Sequence, residues 1–398
     1  MCDACSRSGI AQEASPPLTR EAESLLTPGI VSQLTRDAET PLTPEAASTT
    51  RFVTVAVSDA VGMVLAHDIT EIKKDEFKGR AFKKGHIVRP EDIERLKNLG
   101  KENLYVLDIA PEDMHEDEAA YALAEALTGP GVSMEGEPKE GKINLLAGRD
   151  GLLKIDVAAL KAFNCVEAVM CATLHTNVVV KKGQQVAGTR AIPLVVSRAT
   201  VAAAVSAAKT SAAAVVRVVP ISRPRCGVVV TGSEVYHGRI QDAFAPVIKK
   251  KIEEYGGEIL ALHYAPDDAG FIEGKLRELL AAGADLLITT GGMSVDPDDV
   301  TRFAVKNLGV TGLCYGSAVL PGAMFMVAYA AVSGCADVPI LGIPACGMYS
   351  KTTVFDLVLP RVLSGERIGR SELAEMGHGG LCMNCKECRY PVCPFGKY

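Results

Sequence analysis

Two stretches of the chain carry residue types whose spacing suits chemistry. In the first, Thr231-Gly232-Ser233-Glu234-Val235 runs on through Gly238-Arg239-Ile240-Gln241-Asp242, and a later loop reads Thr289-Thr290-Gly291-Gly292-Met293-Ser294-Val295-Asp296-Pro297-Asp298-Asp299. Glycine lets backbone approach a ligand closely. Hydroxyls and helix-start amides, here Thr231 and Ser233, can hold phosphate oxygens, and Glu234 and Asp242 can hold magnesium beside them. Gly291 and Gly292 can form an amide nest for an anion, with Ser294 donating to it. A bare carboxylate cluster repels phosphate, so the three aspartates make chemical sense chiefly as a magnesium or oxyanion-handling site. Taken alone, each loop is also readable as a capped strand-to-helix turn, the second with Pro297 in the first turn of its helix.

The second stretch is terminal. Four of the twelve cysteines, Cys382, Cys385, Cys388 and Cys393, fall in the last seventeen residues with gaps of two, two and four. Four thiols so spaced can converge on one metal or cluster, because each short gap lets the chain turn back on itself. The order resembles a bacterial ferredoxin run with a last gap one residue longer, and zinc takes four thiolates equally well. Cys2 and Cys5 form a weaker pair in a segment suited to disorder.

The elements that must position these residues follow from periodicity. After Pro224 the pattern alternates strand and helix: Gly227 to Thr231, Ala245 to Tyr255, Glu258 to His263, Ile272 to Ala282, Asp285 to Thr290. Such alternation predicts an α/β domain on a parallel sheet covered on both faces, with ligands at the carboxyl ends of the strands. Upstream, Phe52 to Val57 alternates as a half-buried strand and residues 137–196 are again strand-like, which predicts a mixed α+β region. An Ala-rich helix is expected over Ala199 to Ala214, and Pro220 to Pro224 reads as a linker. The expected organisation is an arm at 1–50, a mixed α+β region at 51–220, the α/β domain at 226–365 and a Cys-rich tail at 366–398.

Composition narrows the class. With 398 residues the chain is long enough for several compact units. Its first fifty residues lack Phe, Tyr and Trp and cannot bury enough surface to offset ordering entropy. Aromatic residues make up only 5%, tryptophan is absent and the net charge is -6, which argues against nucleic-acid binding. The most Ala/Val-rich run, Ala199 to Val219, is broken by Lys209 and Arg217, so no membrane span is expected. Without the features of a secretory signal, the expected location is cytoplasmic.

Thr-Gly-x-Glu at 231, Gly-x-Ile-x-Asp at 238 and Thr-Gly-Gly-x-Ser with a trailing Asp at 290 stand in order. Their spacing resembles the molybdopterin-binding domain of the molybdopterin molybdotransferase family, over roughly a third of the chain. The resemblance implies that Thr231, Gly232, Glu234 and Asp242 line a pterin-phosphate site and that Gly291, Gly292, Ser294 and Asp299 form its opposite wall. It implies cofactor contacts at Ser233, Pro321 and Gly322, and catalytic roles for Glu234, Asp242 and Asp299 with magnesium. Upstream, Ala60 to Ile69 and Lys84 to Ile93 are similar to the family's leading segments, but the acidic substrate motif is replaced by the basic run Phe77 to Lys84. That run could meet an anionic cofactor, although a solvated charged turn is the more frequent explanation.

Two departures bear on catalysis. Pro321-Gly322-Ala323-Met324 stands where the family commonly has Pro-Gly-Lys-Pro, and Pro344-Ala345-Cys346-Gly347 where it has Pro-Gly-Asn-Pro. The resemblance therefore implies a transferase that binds molybdopterin or its adenylated form and promotes magnesium-dependent molybdate insertion. The alternative is a non-catalytic cofactor carrier, an insertion chaperone or a redox-linked sensor built on an iron-sulfur or zinc tail. Expected partners are molybdopterin, molybdate and a molybdoenzyme client, with a homodimer left open. Nicotinamide-nucleotide salvage proteins with a related domain fused to an amidase are a further class, for which too few residues follow Gly365.

Overall fold

The structure, a computed structural model, describes residues 51–73, 77–293, 299–332 and 337–397. The expected arm, with Cys2 and Cys5, lies outside the described residues. So do Ser294, Asp296 and Asp298.

The first module begins with β1 (Arg51–Ala56), β2 (Val64–Leu65), the hairpin strands β3 (Ile69–Lys73) and β4 (Phe77–Phe82), α1 (Asp92–Asn98) and β5 (Asn103–Asp108). Strand β5 takes β1 on one side and β2 on the other, both antiparallel. Leu65, Ile69, Phe82, Leu96, Leu104 and Val106 fill the space between these elements.

The second module runs β6 (Asp113–His115), α2 (Glu116–Leu127), β7 (Val132–Met134), β8 (Lys142–Ala147), β9 (Gly151–Ile155), α3 (Val157–Asn164), β10 (Val169–Thr173), β11 (Val178–Val180), β12 (Gln185–Ala191), β13 (Val195–Ser197), α4 (Arg198–Ala208) and β14 (Val216–Val219). Its strands form antiparallel sheets in the orders β10-β12-β8-β7, β11-β9-β14 and β13-β6. Each helix starts on a side chain that takes an orphan amide. His115 Nδ1 accepts from the Asp117 amide at 3.2 Å, Asp156 Oδ1 from Ala159 at 2.9 Å and Ser197 Oγ from Thr200 at 3.0 Å. Helix α4 stops at Ala208, six residues before the Ala-rich composition predicts. Ala214 takes a φ of 70°, and the β-branched run from Val215 enters the sheet instead, against β9.

Residues from Arg225 build the third region: β15 (Arg225–Thr231), α5 (Ser233–Tyr236), α6 (Phe244–Glu253), β16 (Glu258–Ala265), α7 (Ala269–Ala281), β17 (Leu286–Thr290), α8 (Thr301–Asn307), β18 (Thr311–Tyr315), β19 (Met326–Ala330), β20 (Val338–Ile343), α9 (Cys346–Tyr349), α10 (Val354–Leu363) and α11 (Arg370–Glu375). The six-stranded sheet has the order β16-β15-β17-β20-β19-β18. The first four strands pair in parallel, whereas β19 and β18 are antiparallel. Alternation predicts a wholly parallel sheet, and β18-β19 depart from it because no helix separates them. A short connection without a crossover returns the chain alongside itself, which only antiparallel pairing accommodates.

Period-two alternation divides the two cores. Cys226, Val228, Val230, Leu286, Ile288, Leu341 and Ile343 face α6 and α10, while Val229, Leu287, Ile340, Met326 and Ala328 face α7 and α8. Both faces are thereby dry, and the strand ends are held rigidly where the loops leave them.

A partly buried ion cluster ties the second module to the third. Lys154 of β9 bonds Glu366, just past α10, which also takes Arg361 Nη2 at 2.6 Å and Nε at 3.0 Å. Burial alone would raise Glu366, but the bonds from Arg361 and Lys154 outweigh it and hold its carboxyl below the usual range. Among the described residues no helix is long and apolar enough to cross a membrane.

Candidate functional site

Strands β15 and β17 are neighbours, so the two glycine loops leave the sheet side by side at its carboxyl end. Gly232 follows β15 with a φ of 137° and turns the chain into α5. A side chain there would meet the Glu234 carboxylate at 2.8 Å. The Ser233 amide donates to Asp267 Oδ2 at 2.8 Å, and Ser233 Oγ accepts from the Asp267 amide at 3.3 Å. Asp267, just past β16, thus fixes the start of the loop helix. It is a site residue the motif search passed over, because the signal, an aspartate two residues beyond a strand, has meaning only once β16 is known to flank β15.

Gly291 and Gly292 follow β17 with φ of 79° and 53°, in the left-handed region that favours glycine. A Cβ on Gly291 would meet the Thr231 carbonyl oxygen at 2.3 Å, and one on Gly292 would meet Thr301 Oγ1 at 2.5 Å. The loops are in contact. Thr231 Oγ1 donates to the Thr290 carbonyl at 2.8 Å, and Thr301 Oγ1 lies 3.1 Å from the same hydroxyl. Since Thr231 has one proton and Thr290 takes it, Thr301 donates to Thr231. Thr231 is therefore a buried clasp between the loops, where a ligand-facing hydroxyl was expected. Thr289 Oγ1 and Thr290 Oγ1 are buried without a partner among the described residues.

The second loop is braced from α8 and β18. The Tyr315 hydroxyl donates to the Met293 carbonyl, and the Arg302 guanidinium lies 5.5 Å from the centre of the Tyr315 ring. Arg302 Nε is buried and without a partner among the described residues. Arg302 was not singled out from sequence; its neighbour Phe303 and the helix around it carry no motif.

The carboxylates do different things. Asp242 sits at the start of α6, where Oδ1 accepts from the Phe244 amide at 2.7 Å and Oδ2 accepts from the Ala245 amide at 3.2 Å. Oδ2 also takes the Tyr264 hydroxyl at 3.3 Å, which ties Asp242 to β16. Burial, then the Asp242 charge, raises the Tyr264 hydroxyl above its usual value. Asp299 lies two residues before α8. Among the described residues, no three His, Cys, Asp or Glu side chains are gathered to hold a metal ion. Neither Glu234, Asp242 and Asp299 nor the four tail cysteines form such a group. A helix cap draws the Asp242 carboxylate onto backbone amides, and the thiols are spread around a cavity.

Pro321 and Gly322 belong with the tail more than with the glycine loops. A Cβ on Gly322 would meet the Val354 side chain at 2.4 Å, the Pro321 carbonyl accepts from the Val354 amide at 3.1 Å, and Pro321 lines the cavity that the tail cysteines share. Cys346 behaves as an interior residue, with burial pushing its thiol up. Cys388 is the opposite case: bonds from the Thr352 hydroxyl, 3.3 Å away, and from the Tyr390 amide hold its thiol below the usual range. In the basic run, Arg80 pairs with Asp68 at 3.1 Å and Lys83 with Glu140 at 2.8 Å, so these cations are matched by local acids.

Comparison with known proteins places the glycine loops in a recognised family range. Residues 227–364 match the family described as "Probable molybdopterin binding domain", and residues 54–108 match "Domain of unknown function (DUF8806)". A CinA-like protein of Mycobacterium sp. (strain MCS) is 43% identical over 77 residues, 19% of this chain and 18% of that protein. The chain thus spans about a fifth of the length of the curated relatives it matches. Among solved structures, the tungsten cofactor synthesizing protein MoaB from Pyrococcus furiosus is 17% identical and aligns over 36% of this chain and 96% of its own, with a TM-score of 0.30. The molybdopterin biosynthesis enzyme MoaB from Thermus thermophilus is 23% identical over 36% of this chain and 98% of its own, with a TM-score of 0.29.

Proposed function

We propose that the chain binds molybdopterin or its adenylated form at the carboxyl edge of the six-stranded sheet. Its role is in molybdenum cofactor biosynthesis, as a transferase that promotes magnesium-dependent molybdate insertion. The observation that carries this reading is the clasped pair of glycine loops inside the range that matches the molybdopterin-binding family. The residues fit such a ligand. The side of Gly291 and Gly292 where a Cβ would project is already filled by Thr231 and Thr301, so only glycine allows this turn. The Thr290 hydroxyl and Arg302 Nε, without partners among the described residues, add donors near the loop, suited to phosphate oxygens.

In this proposal the start of α5, fixed by Asp267, orients the Ser233 amide. Gly291 and Gly292 present the facing amides, and Ser294 donates beside them. Arg302 supplies the positive charge that a lysine would bring at the position of Ala323. Magnesium in this proposal arrives with the phosphates and would be met by Glu234, Asp242 and Asp299, which are not gathered around one point on their own; when bound it would neutralise charge on phosphate and molybdate oxygens.

The test mixes purified protein with adenylated molybdopterin, magnesium and molybdate. Nucleotide release coupled to active cofactor is the expected result. Binding without turnover identifies a carrier, the reading favoured by Ala323 and Cys346 standing where the family has lysine and asparagine. Absence of binding to either pterin form overturns both. Within the site, Asp299→Asn is expected to lower turnover or pterin affinity at least tenfold while sparing thermal unfolding. Asp296→Asn and Asp298→Asn should cost much less, and equal losses from all three would remove the assignment of Asp299.

A further inference from the structure

The terminal segment leaves Leu381, Met383 and Val392 71%, 71% and 84% exposed, while Phe395 is buried in the core that α10 shares. Backbone and side-chain bonds add to that anchor. The Cys382 amide donates to the Leu320 carbonyl at 2.8 Å, Leu320 returns a bond to Gly380, and the Tyr390 hydroxyl donates to the Asp356 carbonyl at 3.3 Å. Between these anchors the chain still makes a defined path, with Asn384 in the left-handed region at a φ of 50° inside the first Cys-x-x-Cys gap.

All four tail thiols line one cavity of about 270 Å³, which Pro321 and Thr352 also line. All four are free of disulfides, and none of the other described cysteines reaches this cavity. Four free thiols on one cavity, spaced two, two and four residues apart, can each take a different corner of a cluster whose inorganic core fills the space between. Lys351 and Arg389 line the same cavity and offset the negative charge that four thiolates add.

We propose that Cys382, Cys385, Cys388 and Cys393 hold one iron-sulfur cluster seated in this cavity. Loading is a ligand exchange with a preassembled cluster. Each cysteine forms an Sγ–Fe bond as a carrier thiolate leaves, the cysteine proton passes to that thiolate, and no electron is transferred. The proposal stands independently of the pterin reading, since it rests on the tail cysteines and its test reads metal content.

Full-length protein is purified without oxygen and assayed for iron, acid-labile sulfide and zinc, with visible absorption and electron paramagnetic resonance after reduction. About four iron and four sulfide per chain are expected. The double variant Cys385→Ser/Cys388→Ser is expected to lose most of both, with an unchanged far-ultraviolet circular dichroism spectrum, while Cys165→Ser keeps them. Stoichiometric zinc without iron overturns the proposal. So does wild-type protein that retains no iron even after reconstitution with iron, sulfide and a thiol reductant, or a double variant that keeps its full cluster content. Should the double variant fail to fold, the wild-type iron and sulfide content decides alone.

Discussion

At the carboxyl edge of the six-stranded sheet, the hydroxyls of Thr231 and Thr301 are committed to each other and to Thr290. In the terminal segment four thiols face a cavity and large apolar side chains face solvent. The first region inherits its shape from two dry cores pressing on strands β15 and β17. The second shares the α10 core through Phe395, while the loop that carries the cysteines stays at the surface. A loop that leaves a buried strand can be fixed by a few hydrogen bonds, because the strand has already lost its freedom. The cysteine loop leaves no buried strand, and a bound centre suits it for that reason.

That contrast can be broken by substitutions of graded severity. The largest effect is expected at Glu366, just past α10, where the second and third modules meet. Glu366→Gln takes away the carboxylate that Arg361 and Lys154 share and should cost about 3 kcal/mol by urea unfolding. Because the folded Glu366 carboxyl sits below its usual range, its contribution is complete above the ordinary glutamate value of about 4.3 and is lost as pH falls through the lower folded value. Glu366→Gln should therefore flatten the acid limb of the stability profile, and an unchanged limb would show that the cluster does not couple the modules.

Next comes Gly291→Ala, which forces a Cβ to within 2.3 Å of the Thr231 carbonyl at a positive φ and should cost about 2 kcal/mol together with pterin affinity. Thr231→Val removes the clasp and strands the Thr301 hydroxyl, for about 1 kcal/mol in the same unfolding experiment. A loss below the measurement error would mean that the loops are held by the strands alone. The smallest effect is expected in the tail, where Met383→Ser should change stability by less than about 0.5 kcal/mol. A larger change would reveal apolar support that the exposure of this side chain does not suggest.

Much of the third region was legible in the sequence. The apolar run at Val228 to Val230 and the glycines after Thr231 and Thr290 locate both strands and both loops, since buried strands and tight turns leave strong local signals. Helix α4 was legible in position but not in length: alanine composition does not register that Val215 and Val216 are needed in the β9 sheet. The antiparallel β18-β19 edge was missed for a similar reason, as no periodicity records which way a returning strand will pair.

For the site, local sequence determined which glycines permit the turns and which four thiols share one segment, because backbone conformation and short-range spacing are properties of neighbouring residues. Only the tertiary structure decided that Thr231 clasps the loops, that Asp267 and Arg302 border them, and that Pro321 lines the cysteine cavity. Each of those contacts joins residues separated by tens of positions, and its partner is chosen by strand order and packing, which no local pattern encodes.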